Sequence, residues 1–468
     1  APRAAVANVL PKLHGAFALA IMFRGEPDLL IGARLGAPLT IGYGDGENYL
    51  GSDALALASL TQRIAYLEEG DWAAVSRDSV EIFDRDNKPV TRPITISGVS
   101  GAMIDKGNYR HFMLKEIHEQ PVVVAQTLQS YLRPVEEQVA LPQMDFDLST
   151  VERVVIVACG TASYVGMVGK YWIESLARLP VEVDFASEFR YREPVLDGRI
   201  LGVVISQSGE TADTLAALRH MKANGVTTAG IINVPTSSMA REVDLLMPTH
   251  AGPEIGVAST KAFTCQLAVM AALAANLARA RGKLTPEAER DIVHQLTEAP
   301  AAMNAALACD EAIAAVAKTI STARDVLYLG RGSSFPLALE GALKLKEISY
   351  IHAEGYAAGE LKHGPIALID ENMPVVVIAP YDRVFEKTVS NMQEVAARGG
   401  RIILIADRRA ADEAAIDFEA VAPMPEMAPD FAPIVYAVPA QMLTYHTAVV
   451  MGKDVDQPRN LAKSVTVE

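Results

Sequence analysis

The sequence predicts an α/β protein that contains two copies of one parallel-sheet fold, preceded by a β-rich segment. Three observations support this prediction. From residue 151 onward, apolar β-branched runs alternate with long helical patterns, which is typical of buried parallel strands joined by helical crossovers. These runs recur at a constant offset along the chain. The first 97 residues lack this alternation and contain short apolar runs bounded by Gly and Pro.

The β-rich segment spans residues 1–97. Residues 16–22 form a short apolar run, and residues 80–84 alternate as a half-buried strand does. Residues 64–67 and 72–75 flank a Gly-Asp pair, which predicts a hairpin. Because the chain begins without Met inside an amphipathic pattern, we also expect the sequence to be a fragment or a processed chain.

Residues 98–150 are predicted to connect this segment to the repeated part of the chain. Residues 101–121 are polar and helical in pattern, and residues 141–149 contain Pro, Asp and Gln. A polar stretch of this kind between apolar segments is typical of an interdomain connector.

The repeated part consists of two subdomains, 151–310 and 311–450, followed by a tail, 451–468. An offset of 172 or 173 residues is too long for a solenoid repeat and indicates a duplicated domain. Three pairs of segments show the offset: 326–332 resembles 154–160, 374–378 resembles 202–206, and 401–406 resembles 228–233.

Composition excludes several classes of protein. The chain has 42 Lys plus Arg and 57 Asp plus Glu, a net charge of −15, which disfavours a nucleic-acid scaffold. Cys159, Cys265 and Cys309 are too widely spaced for a disulfide framework or a zinc site, so we expect a reducing, cytoplasmic setting and no metal. The longest apolar run, residues 262–278, is short for a membrane span and predicts a buried Ala-rich helix.

Two loops of the first subdomain predict a site for an anionic ligand. Each follows a strand and precedes a helix, so both lie at the carboxyl edge of a parallel sheet, where ligands bind. Free N–H groups at a helix start can hold a phosphate, and Gly160 allows a close backbone approach. Neither loop matches a nucleotide-binding fingerprint, so a sugar phosphate fits better. The hydroxyl and amide side chains are those of Thr161, Ser163, Ser206, Gln207, Ser208 and Thr211.

Other segments contain reactive groups whose roles the residues alone leave open. Ser259 either caps the Ala-rich helix or contacts ligand. Lys344 and Glu347 lie three residues apart on one helix face, where they form either an exposed ion pair or a proton carrier in apolar surroundings. His363, before a Gly-Pro pair, is either a solvated loop histidine or a proton carrier.

Lys463 lies in a tail that is unusually apolar. Most terminal tails are frayed, so a solvated lysine is the default. If the tail folds into a cleft, desolvation removes the charge of this lysine and makes it an amine nucleophile towards a carbonyl.

Together these segments closely resemble the glucosamine-6-phosphate synthase family, the isomerizing glutamine–fructose-6-phosphate aminotransferases. The resemblance runs from near residue 5 to residue 468, and its most specific part is the run DQPRNLAKSVTVE at 456–468. It implies tandem sugar isomerase (SIS) subdomains, which are flavodoxin-like α/β sandwiches with a parallel sheet. It also implies that residues 1–97 are a partial N-terminal-nucleophile (Ntn) glutaminase domain that lacks its first half. The other matching segments are 159–161, 206–211, 258–261, 344–347 and 360–365.

The resemblance implies a reaction that needs no cofactor. The two loops would bind the phosphate of fructose 6-phosphate, and Lys463 would form a Schiff base with the open ketose. Ammonia from glutamine would replace the lysine, and Glu347 would move a proton from C1 to C2, with Lys344 at the C1 oxygen. His363 would assist ring opening from the neighbouring subunit of a homodimer. The positions of Ala462 and Val465 would line an ammonia passage.

The sequence departs from the family at two places. Ala162 stands where many members have Ser, with Ser163 one position later, so one phosphate contact is expected to be rearranged or lost. None of the three cysteines lies in residues 1–97, so the glutaminase nucleophile is absent and we expect no glutamine hydrolysis.

Two alternatives remain at this stage. One is an SIS-type glucosamine-6-phosphate deaminase or sugar-phosphate isomerase that uses free ammonia. The other is a non-catalytic sensor that binds a sugar phosphate, which would not need Glu347, His363 and Lys463 together.

Overall fold

The computed structural model describes residues 2–98 and 104–466. The chain forms two compact units. The described residues of the first lie within 1–107, 210–213 and 464–468, and those of the second within 108–209 and 214–463. The segment that the sequence predicts as a connector is therefore mostly part of the second unit.

The first unit contains two antiparallel sheets. One has the strand order β1-β2-β6-β7-β8 and the other the order β4-β3-β5-β9. The elements are α1 (Pro2–Val9), β1 (Phe17–Phe23), β2 (Glu26–Leu35), β3 (Thr40–Tyr43), β4 (Asn48–Gly51), α2 (Ala54–Leu57), β5 (Arg63–Tyr66), β6 (Trp72–Val75), β7 (Val80–Phe83), β8 (Pro89–Val90) and β9 (Thr95–Ile96).

The predicted hairpin of residues 64–67 and 72–75 is wrong. Both segments are strands, but β5 pairs with β3 and β9, whereas β6 pairs with β2 and β7. The Asp71 side chain takes part in longer-range contacts, since it forms an ion pair with Arg92 at 2.7 Å. A Gly-containing turn signals a change of direction and does not specify which strand becomes the partner.

The second unit contains two five-stranded parallel sheets with the same topology. Their orders are β13-β12-β14-β15-β16 and β18-β17-β19-β20-β21. In each sheet the second strand of the sequence lies at one edge, next to the first, which is the flavodoxin-like order. The strands are β12 (Arg153–Ala158), β13 (Val181–Phe185), β14 (Ile200–Ser206), β15 (Thr227–Ile232), β16 (Leu245–Pro248), β17 (Asp325–Gly330), β18 (His352–Ala357), β19 (Pro374–Ile378), β20 (Arg401–Asp407) and β21 (Ala420–Met424), after a short hairpin of β10 (Leu132–Arg133) and β11 (Gln138–Val139).

Helices cover these sheets and supply the residues of the candidate site. Residues of α3, α4, α8, α9, α11 and α14 share one large apolar core with both sheets. The helices are α3 (Phe112–Gln129), α4 (Thr161–Leu176), α5 (Ala186–Phe189), α6 (Ala212–Ala223), α7 (Ser238–Glu242), α8 (Lys261–Ala280), α9 (Pro286–Leu307), α10 (Asp310–Ile320), α11 (Ser334–Ser349), α12 (Phe385–Ala396), α13 (Arg408–Ala414) and α14 (Ala432–Val450), with 3₁₀ turns at Leu10–Lys12, Leu148–Thr150, Ala358–His363, Pro365–Leu368 and Pro429–Phe431.

The Ala-rich helix α8 is the buried helix that the sequence predicts. Among the described residues, α8 is the one helix long and apolar enough to cross a membrane, but its most apolar 18-residue window is entirely buried within the protein. Small side chains allow this close packing, because a Cβ on Gly169 of α4 would collide with Met270 of α8. The helix therefore belongs to the protein core.

Candidate active site

The two predicted anion-binding loops follow adjacent strands of the first parallel sheet. Strand β12 pairs with β13 on one side and β14 on the other, so the chain order reverses between β12 and β14. The carboxyl ends of the two strands flank this switch point, which is where open α/β sheets bind ligands.

The first loop leaves the amino end of α4 open. Gly160, at φ +53°, precedes the first helical residue, and a residue with a side chain would be strained there. Thr161 Oγ1 donates to Glu340 Oε1 on α11 at 3.2 Å. Ser163 is buried, and its hydroxyl donates to the Gly160 carbonyl at 2.6 Å. The structure therefore uses the Ser163 hydroxyl inside the helix and does not present it to the loop.

The second loop forms a tight turn after β14. Ser206 Oγ accepts a hydrogen bond from the Gly209 N–H at 2.9 Å. Gly209 has φ +67°, and a Cβ there would overlap the Ser237 side chain, so no other residue fits this position without movement. Gln207 and Ser208 are half-buried at the tip of the turn.

The continuation of this loop belongs to the first compact unit, together with the end of the tail. Thr211 is half-buried, and the next residue, Ala212, donates its N–H to the Val465 carbonyl at 3.0 Å. The tail is therefore held by a backbone hydrogen bond at its far end.

Lys344 and Glu347 are brought together on α11, as their spacing predicts. Lys344 Nζ lies 2.5 Å from Glu347 Oε2, and the Lys344 side chain is only 1% exposed. The alternative of an exposed surface pair is therefore wrong. Burial would lower the pKa of Lys344, but Glu347 and, at alkaline pH where it is ionised, Glu340 raise it overall, so this residue is an ammonium at neutral pH.

Glu340 is a third member of this cluster that the sequence reasoning missed. It lies one turn before Lys344, with Oε1 3.6 Å from Lys344 Nζ. Burial raises the pKa of Glu340 to about 8, and the charge of Lys344 offsets this only in part. Glu340 is therefore a neutral acid at pH 7, which leaves Lys344 paired with Glu347. The four-residue spacing on one helix face is the signal that could have identified it.

Lys463 is folded against the protein and held by two acceptors. Its Nζ donates to Glu254 Oε2 at 2.5 Å and to the Gly256 carbonyl at 2.8 Å. The side chain is 24% exposed, and that of Glu254 is fully buried. The tail is thus not frayed at this point, and the lysine is paired with a buried carboxylate, a contact that the sequence did not reveal.

Glu254 lies at the amino end of α8 and was also missed from the sequence. Its Oε1 accepts from the N–H groups of Thr260 and Ala262 at 2.9 Å each. Burial would raise the pKa of Glu254, but the charge of Lys463 and these N–H donors outweigh burial and lower it to about 2. Ser259 also donates to Glu254, at 3.2 Å, so its hydroxyl does not cap the helix.

The remaining predicted residues are exposed. His363 ends a 3₁₀ turn, Ala358–His363, and within the described part of one chain it makes no hydrogen bond or ion pair. Ala462 and Val465 are exposed as well. In the described residues, no group of three or more His, Cys, Asp or Glu side chains is placed to hold a metal ion.

Comparison with known proteins matches both parallel sheets to one domain family. The SIS domain family matches residues 147–276 and 319–451. An isomerizing glutamine–fructose-6-phosphate aminotransferase from Zymomonas mobilis is 68% identical over 467 residues, which cover 100% of this chain and 77% of that protein. The chain belongs to this aminotransferase family. A second member, from Bradyrhizobium diazoefficiens, is 64% identical over 468 residues, with the same coverage.

Solved structures agree with membership of the aminotransferase family. The C-terminal domain of glucosamine-fructose-6-phosphate aminotransferase from Francisella tularensis is 44% identical, has a TM-score of 0.72, and covers 75% of this chain and 100% of that chain. A glucosamine-6-phosphate deaminase from Thermotoga maritima has a TM-score of 0.60 at 23% identity, over 76% of this chain and 99% of that chain, which shows the shared fold alone. The resemblance inferred from the sequence motifs is confirmed.

Proposed function

We propose that this chain converts fructose 6-phosphate and ammonia into glucosamine 6-phosphate, as an isomerizing glutamine–fructose-6-phosphate aminotransferase. The observation that carries the proposal is the hydrogen bond from Thr161 to Glu340, because it joins the phosphate-type loop of the first SIS subdomain to the buried Lys344–Glu347 cluster of the second. A sugar phosphate held by the loop would extend its carbon chain towards titratable groups on α11.

Substrate binding uses the hydroxyl-rich loops. Thr161, Ser206, Gln207, Ser208 and Thr211 hold the phosphate, together with the open amino end of α4. Gly160 permits the close backbone approach. The internal hydrogen bond of Ser163 means that this hydroxyl contributes to the shape of the loop and not to phosphate binding.

The covalent step uses Lys463. Its amine adds to the C2 carbonyl of the open sugar, and water leaves as the imine forms. Ammonia then adds at C2 and the lysine leaves, which regenerates the amine and produces the imine of ammonia. Because Lys463 is ion-paired with Glu254 before substrate arrives, the ammonium must first lose a proton.

Isomerisation moves one proton along the sugar. The Glu347 carboxylate removes a proton from C1 and returns it to C2. The C1 hydroxyl gives up its proton and becomes a carbonyl, and the imine nitrogen takes up one proton and becomes an amine. Lys344, held 2.5 Å from Glu347, lies where an ammonium can stabilise charge on the C1 oxygen. Its burial strengthens this interaction because little water screens it.

Further parts of the proposal concern residues outside this cluster. We place His363 at the site of the neighbouring subunit of a homodimer, since it is exposed and unpaired within the described part of its own chain. Residues 1–97 are assigned to an Ntn-type glutaminase domain, residues 98–150 to a connector, and residues 151–310, 311–450 and 451–468 to the two SIS subdomains and the tail, of which 467–468 lie outside the described residues. The two antiparallel sheets of the first unit support the glutaminase assignment.

The test supplies ammonium chloride in place of glutamine, so that it examines the synthase reaction alone. Incubation with fructose 6-phosphate is expected to yield glucosamine 6-phosphate, and borohydride is expected to trap the sugar on the peptide that contains Lys463. Label on another lysine, or binding of the sugar without turnover, would overturn the proposal. Ser208→Ala should weaken substrate binding, whereas Lys463→Arg should abolish trapping and leave binding measurable.

A further inference from the structure

Glu116, on helix α3, is a buried carboxyl group that none of the predicted motifs contains. It is 2% exposed and lies before both sheets of the second unit in the chain. Its Oε1 accepts hydrogen bonds from the N–H groups of Ile255 and Gly256, at 2.5 and 3.1 Å. Its Oε2 is buried and has no hydrogen-bond partner among the described residues.

The segment that Glu116 holds supplies both acceptors of Lys463. These acceptors are the Glu254 carboxylate and the Gly256 carbonyl, which flank the two N–H groups bound by Glu116. Glu116 itself makes no hydrogen bond to the lysine in this structure. Its hydrogen bonds therefore act on the position of the amine through the backbone of residues 254–256.

We propose that Glu116 is a positioning residue that fixes the 254–256 segment and thereby sets the place of the Lys463 amine. The proposal rests on the proposed function, in which that amine attacks the sugar carbonyl. An error of about 1 Å in the position of a reacting group can cost about 100-fold in rate, so a residue that does not touch substrate can still control the covalent step.

Helix α3 holds the tail as well as the segment. Asp456 accepts from the N–H groups of Phe112 and Met113 at 2.9 Å each, at the amino end of α3. The Asp456 carbonyl accepts from the Val257 N–H at 3.0 Å. The helix thus fixes both partners of the ion pair, the Glu254 side through Glu116 and the Lys463 side through Asp456.

Close packing at Gly256 shows that this arrangement leaves little space. A Cβ at residue 256 would lie 2.9 Å from Glu116 Oε2, which is closer than real Cβ contacts. A side chain there would push the carboxyl group away from the two N–H groups. Gly256→Ala is therefore a second and independent way to disturb the same contact.

The charge around Glu116 gives the proposal a pH signature. Burial and the nearby Glu254 carboxylate raise the pKa of Glu116 to about 8, and Lys463 and the two N–H donors lower it only in part. The other charged groups near this helix are Asp456 of the tail, which accepts hydrogen bonds at its amino end, and Glu119 of the helix itself, which is paired with Lys261. Above pH 8, Glu116 therefore adds a second negative charge beside that of Glu254, which strengthens the attraction that holds the Lys463 side chain in the ion pair.

The experiment measures the rate of borohydride-trapped adduct formation from fructose 6-phosphate at saturating sugar. We expect Glu116→Ala to slow trapping at least tenfold, and Gly256→Ala to slow it to a similar extent. Glu116→Gln keeps an acceptor for the two N–H groups, so its trapping rate should be within about threefold of the rate of the parent. Glu289→Ala is the matched control, because Glu289 is also buried and accepts a backbone N–H, from Val139 at 2.9 Å.

The pH series separates positioning from a general loss of structure. Between pH 6.5 and 9, the parent-to-Glu116→Gln rate ratio should fall as the pH passes 8, because the glutamine cannot ionise. Unfolding midpoints and fructose 6-phosphate binding should identify variants that merely fail to fold. A Glu116→Ala variant that folds and traps at the parent rate, or a flat ratio across the series, would overturn the positioning role. No trapping on Lys463 by the parent itself would instead overturn the proposed function.

Discussion

The two SIS subdomains share a backbone and differ in the chemistry at equivalent places. Gly160 after β12 and Gly332 after β17 have φ values of +53° and +54°, so each subdomain begins its first helix from the same strained turn. In the first subdomain the turn after the next strand presents Ser206, Gln207 and Ser208. In the second, the corresponding turn contains Tyr381 and Asp382.

The second subdomain does not repeat the hydroxyl-rich turn of the first at its switch point. Arg331, in the turn after β17, donates to Asn391 Oδ1 at 3.0 Å. Asp382, in the turn after β19, accepts from the Val384 N–H at 2.9 Å and would repel a phosphate. The titratable cluster of this subdomain, which contains Lys344 and Glu347, lies on helix α11 and not in this turn. The glycine geometry after the first strand is thus the same in both copies, and the proposed function assigns them separate tasks, phosphate binding in the first and proton transfer in the second.

Each subdomain also contains a buried glutamate, and the pKa values of these two glutamates are shifted in opposite directions. The pKa of Glu254 is lowered to about 2, whereas that of Glu340 is raised to about 8. Both carboxyl groups are buried, so burial does not explain the difference. Glu254 receives two backbone N–H donors and a lysine ammonium, whereas Glu340 competes with Glu347 for a single lysine.

The largest effect should come from removing the proton carrier of the second subdomain. Glu347→Gln is expected to lower turnover by about 100-fold or more, because an amide cannot accept the C1 proton. Binding of fructose 6-phosphate to the first subdomain should stay within about threefold, as measured by calorimetry. The control is Glu386→Gln, an exposed residue of the same subdomain, which should change neither quantity. Equal loss of binding and turnover would contradict the division of tasks.

An intermediate effect is expected at the tips of the two equivalent turns. Ser208→Ala should raise KM for fructose 6-phosphate by about tenfold with little change in kcat, since a hydrogen bond to a charged group contributes about 1.5 kcal/mol or more. Asp382→Ala, in the second subdomain, should leave KM within about twofold. If both variants raised KM alike, the two turns would share the ligand and the comparison would fail.

A smaller effect concerns stability and pH. Glu340 is protonated in the folded chain up to about pH 8, whereas it ionises near its ordinary pKa of 4.5 when the chain is unfolded. Its contribution to the stability of the folded chain is therefore complete below pH 4.5 and is lost as the pH rises towards 8. In urea unfolding, the free energy of unfolding of Glu340→Gln should therefore rise relative to that of the parent by at least about 1 kcal/mol between pH 5 and pH 8.

The lowered pKa of Glu254 predicts the opposite dependence of stability on pH. Its lowered pKa contributes stability above pH 4.5, and this is lost as the pH falls towards 2. The parent should accordingly lose stability on acidification in this range, and Lys463→Met, which removes the cation, should reduce that loss. Parallel acid profiles for the parent and Lys463→Met would contradict the assigned ion pair.

The smallest effect is expected for Ser163→Ala. Its hydroxyl is bonded inside α4, so the change should cost about 1 kcal/mol of stability and alter KM by less than about twofold. A tenfold rise in KM would show that this hydroxyl reaches the phosphate and would restore the role that the sequence suggests.

Local patterns in the sequence predicted most of the fold and part of the site. The strands from 154 onward, the duplicated order and the buried helix α8 follow from apolar runs and their spacing, which are local properties. The same reasoning joined β5 to β6, which lie in different sheets, because a turn does not specify long-range pairing. Lys344 and Glu347 were found as a pair since helical spacing brings them together.

The groups that depend on contacts distant in sequence were missed. Glu254 is paired with Lys463, 209 residues later, and Glu116 accepts from the Ile255 N–H, 139 residues later. No local motif identifies either contact. Glu340 was within reach of helical spacing but required knowledge that its face is buried. The expectation for Lys463 considered burial alone, and the carboxylate of Glu254 that accompanies the lysine could not be identified from the sequence.

The ion pair between Lys463 and Glu254 also has a consequence for protein synthesis. Glu254 is translated 209 positions before Lys463. Because domains fold progressively during translation, the Glu254 carboxylate lies at the start of α8 without the Lys463 cation until residue 463 has been added. A nascent chain that has been translated only as far as residue 462 therefore carries the Glu254 carboxylate without the lysine that neutralises it in the folded protein.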